Sequence, residues 1–133
     1  MRQESNAEAL KEAAKGRAVL WLLCHYPETR ETEERGAQAH ALHEQLGILI
    51  WLFGSRMACY PLPTEQLIKT ELLKRGIKEE GIVCSAEIEG IKESFDTVQE
   101  AFNVITAAKR QGITTIVCVS NAPVMANQVP AST

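Results

Sequence analysis

The segment Gly54-Ser55-Arg56 concentrates more binding chemistry than any other short stretch of the chain. A glycine lets backbone approach a ligand, a serine hydroxyl donates a hydrogen bond, and a guanidinium grips phosphate or carboxylate through two parallel bonds. Together they suit a small anion. Arg56 has an equally simple second reading, as a solvated loop residue pairing with Glu65, and both stand at this level. Ser94, Asp96 and Thr97 bring two hydroxyls and a carboxylate into one short stretch, and Ser120-Asn121 ends an apolar run on two hydrogen-bonding side chains. His25, Glu87 and Glu89 complete the polar candidates. No nucleophile and proton-transfer pair stands out among them. Cys24 and His25 are neighbours, but adjacent residues on a strand point to opposite faces. The expectation is ligand binding, with the question of a reaction left open.

Other chemistries find less support. His40 and His43 are three residues apart and could ligate a metal from one helix face, but nothing is placed to complete the set, and two surface histidines is the simpler reading. Glu87, Glu89, Glu93 and Asp96 could hold Mg²⁺, although a solvated acidic loop accounts for them as well. No metal is expected. The glycine fingerprint of dinucleotide sites, the phosphate loop of nucleoside triphosphatases and the nucleophile elbow of serine hydrolases are all missing. The four cysteines, at 24, 59, 84 and 118, are too far apart in sequence for a zinc knuckle or a redox pair. Three of them lie in or at the end of apolar runs, which suggests small buried thiols in a reducing, cytoplasmic setting.

These residues are carried by an alternating series of elements. Residues 18–24 and 48–54 are short, continuous apolar runs that fit strands buried on both faces. Residues 28–46 place Ala39, Leu42 and Leu46 at helical spacing before Gly47. Residues 55–63 read as a loop, and Thr64 caps a helix with Leu67, Ile68, Leu72 and Leu73 as its apolar positions and Gly76 as its stop. A short strand over 82–86 follows, then a polar loop. Asp96 and Gln99 have the spacing of a capping box, opening a helix whose apolar positions are Phe102, Ile105 and Ala108 and which ends at Gly112. Residues 114–120 form a fourth strand, and Pro123 opens a last short helix that Pro130 ends. Ahead of all this, residues 1–16 read as a peripheral, alanine-rich helix without the apolar core of a signal peptide. The rest, 17–133, reads as one domain.

Strand–helix alternation implies parallel strands and an α/β domain, Rossmann-like, with three αβα layers and a short parallel sheet of about four strands. Such sheets bind ligands beyond the carboxyl ends of their strands, where helix N-termini also favour anions. That edge carries the candidates named above. At 133 residues, with 45% hydrophobic and 23% charged residues, the chain suits one globular domain. Its apolar runs are far shorter than the ~20 residues of a membrane helix. With 14 basic against 17 acidic residues and 5% aromatics, it has neither the basic stripe nor the stacking platform of a nucleic-acid binder.

Several pieces, in order, resemble the YdcF-like domain family, which includes SanA- and ElyC-type proteins. They are Arg35-x-x-x-Ala39-x-x-Leu42, Leu52-Phe53-Gly54-Ser55, Thr64-Glu65-Gln66 and Leu73-x-x-Gly76-Ile77. Glu89 with Ser94-Phe95-Asp96-Thr97 and Glu100 is similar to the family's Glu…Ser-x-Asn/Asp-Thr run, and Val119-Ser120-Asn121 resembles its strand end. The resemblance spans about residues 17–128. It implies a Rossmann-like fold and a small anionic or nucleotide-like ligand; at the carboxyl edge of the sheet, Gly54, Ser55, Arg56, Glu65, Ser94, Thr97, Ser120 and Asn121 are the residues expected to line the site. Where the family usually has a His and, three residues on, an Arg, this chain has Val124 and Asn127. The alternative is therefore a degenerate, non-catalytic interaction module. The family also continues with a further strand and helix. With strand order 3-2-1-4, residues 114–120 form an open apolar edge, and a homodimer across it is the favoured way to cover it.

Overall fold

The computed structural model describes residues 17–24, 30–54, 59–91, 93–120 and 125–129. The expected helix within residues 1–16 lies outside them. The two continuous apolar runs form the central strands β1 (Ala18–Leu23) and β2 (Leu49–Phe53). Around them come α1 (Arg30–Leu46), α2 (Thr64–Lys74), β3 (Ile82–Cys84), α3 (Thr97–Gln111), β4 (Thr115–Val119) and β5 (Met125–Gln128). The sheet order is β3-β2-β1-β4-β5. The first four strands are parallel, and β5 runs antiparallel to β4 with Ile116 opposite Asn127.

Successive strand residues point to opposite faces, and the chain uses this period strictly. Leu20, Leu22, Ile50, Leu52, Ile82, Val117 and Val119 face Ala39 and Leu42 of α1 and Ile68 and Leu72 of α2. Val19, Trp51, Phe53 and Ile116 face Val104, Ala107 and Ala108 of α3. The result is the expected three-layer α/β arrangement. Lys74, Lys109 and Arg110 sit in the last turns of α2 and α3, where cations complement the helix dipole. α3 ends on Gly112 in the left-handed region, with Ile113 N–H donating to Ala108 O at 2.9 Å.

Several expectations need correction. The sheet has five strands, because the expected C-terminal helix is instead β5. Its sequence, Met-Ala-Asn-Gln, has no strand period. What makes it a strand is the row of backbone groups that β4 would otherwise leave unpaired. β4 is consequently flanked on both sides, so the open edge that motivated a homodimer there does not exist. Thr64 is the first helical residue of α2, with Pro63 at the cap position. The third strand stops at Cys84, where the chain tightens into a single 3-10 turn, Ser85–Glu87. Finally, α3 buries Glu100, Asn103, Val104, Ala107 and Ala108, while Phe102 and Ile105 face outward.

Candidate functional site

The carboxyl ends of β1, β2 and β3, together with the first turns of α2 and α3, enclose a set of buried polar side chains. Thr64, Glu65, Ser85, Ser94, Glu100 and Asn103 are all buried here. Gly54 is the pivot. A Cβ at this position would collide with Thr64 Oγ1 and lie 2.7 Å from Glu65 N, so only glycine lets the start of α2 pack against the end of β2.

Glu65, in the first turn of α2, reaches across to the end of β3. Its Oε2 accepts from Ser85 N at 2.9 Å and from Ser85 Oγ, and the amides of Ala86 and Gly54 also favour its charged form. Burial nevertheless raises its pKa above the ordinary carboxyl value, against the pull of those donors. Glu100, one turn into α3, approaches the end of β1 from the opposite face. Its Oε1 accepts from Trp21 Nε1 at 2.9 Å and from Cys24 N at 3.3 Å. Fewer donors serve it, and burial pushes its pKa up to about 7. Arg35, buried on α1, donates from Nη2 to Thr32 Oγ1 at 2.8 Å. Its positive charge favours the ionised form of Glu100, and Glu65 opposes it. Three charged groups from three helices thus act on one another around the end of β1.

Cys24 lies among them, and burial, then Glu100 and Glu65, raise its pKa well above the usual thiol range. Burial likewise pushes Cys84 up to about 12 and Cys118 up to about 11. Thiols held this high are not nucleophiles at neutral pH. Glu100, by contrast, can take up or release a proton there.

The structure brings Gly54, Glu65 and Ser94 of the expected site together. Ser94 N–H donates to Gly54 O at 3.3 Å, and Ser94 Oγ accepts from Asn103 Nδ2 at 2.9 Å, which ties the loop to β2 and α3. Thr97 is exposed at the first position of α3. Asp96 caps that helix, accepting from Gln99 N at 2.8 Å, while Gln99 Oε1 accepts from Phe95 N. Ser120 is half-buried just after β4. Ser55, Arg56, Asn121 and His25 lie outside the described residues. Glu87 is exposed, accepting from Cys84 N and facing Lys69 at 3.7 Å. Among the described residues, no three His, Cys, Asp or Glu side chains converge as metal ligands. His43 Nδ1 is 2.7 Å from Ile48 O, and His40 lies 3.7 Å from Glu44.

Sequence reasoning did not rank Arg35, Ser85, Glu100, Asn103 or Trp21 as site residues. The available signal was positional. Glu100, Asn103, Ala107 and Ala108 share one helical face, and a carboxylate in line with alanines on a helix over an apolar sheet is poised to be buried. A separate open hollow of about 530 Å³ lies between residues 59–61 and the outer side of α2, lined by Cys59, Tyr60, Pro61, Leu67 and Lys74 among others. It contains none of the buried charges. Among the described residues, no helix is long and apolar enough to cross a membrane. Compared with family models, curated proteins and solved structures, the chain matches none.

Proposed function

We propose that this chain is a YdcF-like small-molecule binding domain whose ligand, a nucleotide-like or sugar-phosphate molecule, sits beyond the carboxyl ends of β1 and β2. The observation that supports this is the convergence of Arg35, Glu65 and Glu100, none more than 5% exposed, at the end of the central strand. Buried charges cost several kcal/mol each, and apolar residues of similar volume would stabilise the fold at least as well. A ligand site is the reason to keep them. In this reading Glu65 and Glu100 accept from ligand hydroxyls, and Arg35 offsets their charge. Thr97 and Ser120 supply hydroxyls at the rim and Ser94 one from within, and the Gly54-Ser55-Arg56 and Asn121 segments take the anionic part. The unpaired thiols of Cys24, Cys59, Cys84 and Cys118 fit a cytoplasmic setting.

One observation favours the alternative, a degenerate interaction module. Asn127, at the position of the family's Arg, lies in β5 opposite Ile116, toward the far end of β4 from the candidate site. Thermal shift with a panel of nucleotides and sugar phosphates separates the two readings. At a hundredfold excess over its Kd, a true ligand stabilises by ~2.7 kcal/mol, on the order of 10 °C in Tm. The binding reading expects such a shift, reduced in Arg56→Ala and in Glu65→Gln. No shift across the panel, or equal shifts in wild type and both variants, overturns it.

A further inference from the structure

We infer that the outer face of α3 is a self-association surface, on which a second copy of the chain seats its own α3 in antiparallel orientation. α3 carries its largest apolar side chains outside rather than inside. Its buried face is made of Glu100, Asn103, Val104, Ala107 and Ala108, whereas Val98, Phe102 and Ile105 point away from the sheet at 80%, 68% and 38% exposure. Phe95, 74% exposed, lies just ahead of the helix. Within the helix, the spacing of 98, 102, 105 and 109 is four, three, four, the seam of a helix pair with Lys109 at its basic end. At about 200 Å² for a whole phenylalanine, Phe95 and Phe102 alone leave roughly 300 Å² in contact with water. An apolar patch of that size, lengthened by Val98 and Ile105, reaches the range that marks interaction sites on monomer surfaces.

The charges around the seam select the partner and its direction. Exposed Glu93 and Asp96 flank the start of α3, and exposed Lys109 and Arg110 occupy its last turn. A parallel pair would place like charges and like dipole ends together. An antiparallel copy places each acidic end against a basic end and aligns the two dipoles favourably. Centred on Phe102, that register sets Phe102 against the same residue of the partner and Val98 against the partner's Ile105. It also lays the aliphatic stem of Lys109 over the partner's Phe95. The surface is therefore complementary to itself, as a two-fold interface requires. Residues 1–16 would make a poor cover, since Leu10 is their only large apolar residue after Met1. One helix per protomer falls short of the ~800 Å² per partner of a standard interface, which sets the expected affinity in the micromolar range.

Sedimentation velocity on the full chain tests this directly. Between about 1 and 300 µM, the weight-average mass is expected to rise from 14.7 kDa toward twice that value. Phe102→Glu, and the milder Phe102→Ser, are expected to stay monomeric throughout with unchanged far-UV circular dichroism. A covalent arm fixes the register. In a Cys59→Ser background that keeps Phe102, an equimolar mixture of Val98→Cys and Ile105→Cys chains is expected to form a disulfide-linked heterodimer on mild oxidation, because the register sets residue 98 against residue 105 of the partner. Either variant oxidised alone is expected to remain unlinked. A wild-type chain that stays monomeric across the range overturns the proposal. So does a dimer that survives Phe102→Glu, or oxidation that links Val98→Cys alone as readily as the mixture.

Discussion

On the face covered by α1 and α2, the sheet offers aliphatic side chains of moderate size, such as Leu20, Ile50 and Val117, and the helices fill the layer with Leu42, Ile68 and Leu72. On the opposite face the sheet itself is bulky. Trp51 and Phe53 stack there with ring centroids 5.4 Å apart, and α3 meets them with Val104, Ala107 and Ala108. Layers pack to a fixed density, so large sheet residues demand small helix residues and the reverse. The lesson is that side-chain volume decides which way a helix faces when hydrophobicity alone does not. α3 turns its alanines inward and leaves its phenylalanine in water.

The largest expected effect breaks that match from both sides. Leu72 is fully buried between α2 and the sheet, so Leu72→Ala removes volume where the helix supplies it, at a cost of ~2–5 kcal/mol. Ala107 is also fully buried, but its neighbours are bulky, so Ala107→Leu adds volume where there is none and costs ~1–3 kcal/mol by overpacking. Urea denaturation of the two variants checks both numbers. An Ala107→Leu chain as stable as wild type would show that the α3 layer is loosely packed, and the comparison would fail.

The two faces also differ in how each treats its buried carboxyl group. Glu65 accepts from both the amide and the hydroxyl of Ser85, whereas Glu100 has Trp21 Nε1 and one amide. The folded chain holds the Glu100 proton up to about pH 7, while an unfolded chain releases it near the ordinary value of 4.5. Between those values the folded state binds the extra proton, so this group's contribution to stability falls as pH rises. The loss is on the order of 3 kcal/mol and complete above pH 7. Burial shifts Glu65 in the same direction. Glu100→Gln mimics the protonated acid and keeps an acceptor for Trp21. Denaturation at pH 5, 6, 7 and 8 should show a flatter profile for this variant, with its advantage over wild type greatest at pH 8. Parallel profiles for the two proteins would mean that Glu100 is ionised in the folded state at all these values.

What the sequence makes legible follows from the same physics. β1, β2 and β4 are legible because strands covered on both faces need uninterrupted apolar runs, and α1 and α2 because Ala39, Leu42, Ile68 and Leu72 do face the sheet, although Leu73 is exposed and Leu67 lines the outer hollow. β5 is not legible, since Met-Ala-Asn-Gln is held by the backbone of β4 and carries no pattern of its own. The inward face of α3 is misread for a different reason. Phe102 and Ile105 dominate any reckoning of hydrophobicity, and only the bulk of Trp51 and Phe53, distant in sequence, turns them outward. Of the site, Gly54, Glu65 and Ser94 are legible from their place at strand and helix ends. Arg35 and Glu100 share helix faces with Ala39 and Leu42 and with Ala107 and Ala108, but a charged residue is read as solvated from its type until the sheet is assembled.

The smallest expected effect is the sharpest check on the outward stripe. Phe102 is 68% exposed, so replacing it removes little packing within one chain. Phenylalanine and serine also have nearly equal helix propensity, so the backbone is indifferent to the exchange. Phe102→Ser should therefore change unfolding stability by no more than ~0.5 kcal/mol when measured at submicromolar concentration, where a weak dimer is dissociated. The same substitution should lower the apparent stability at several hundred micromolar, because the folded wild type then gains from association and the variant does not. The two concentrations separate packing within the chain from packing between chains. A loss of ~2 kcal/mol in dilute solution would place Phe102 against another part of its own chain, and the outer side of α3 would then be closed by intramolecular packing.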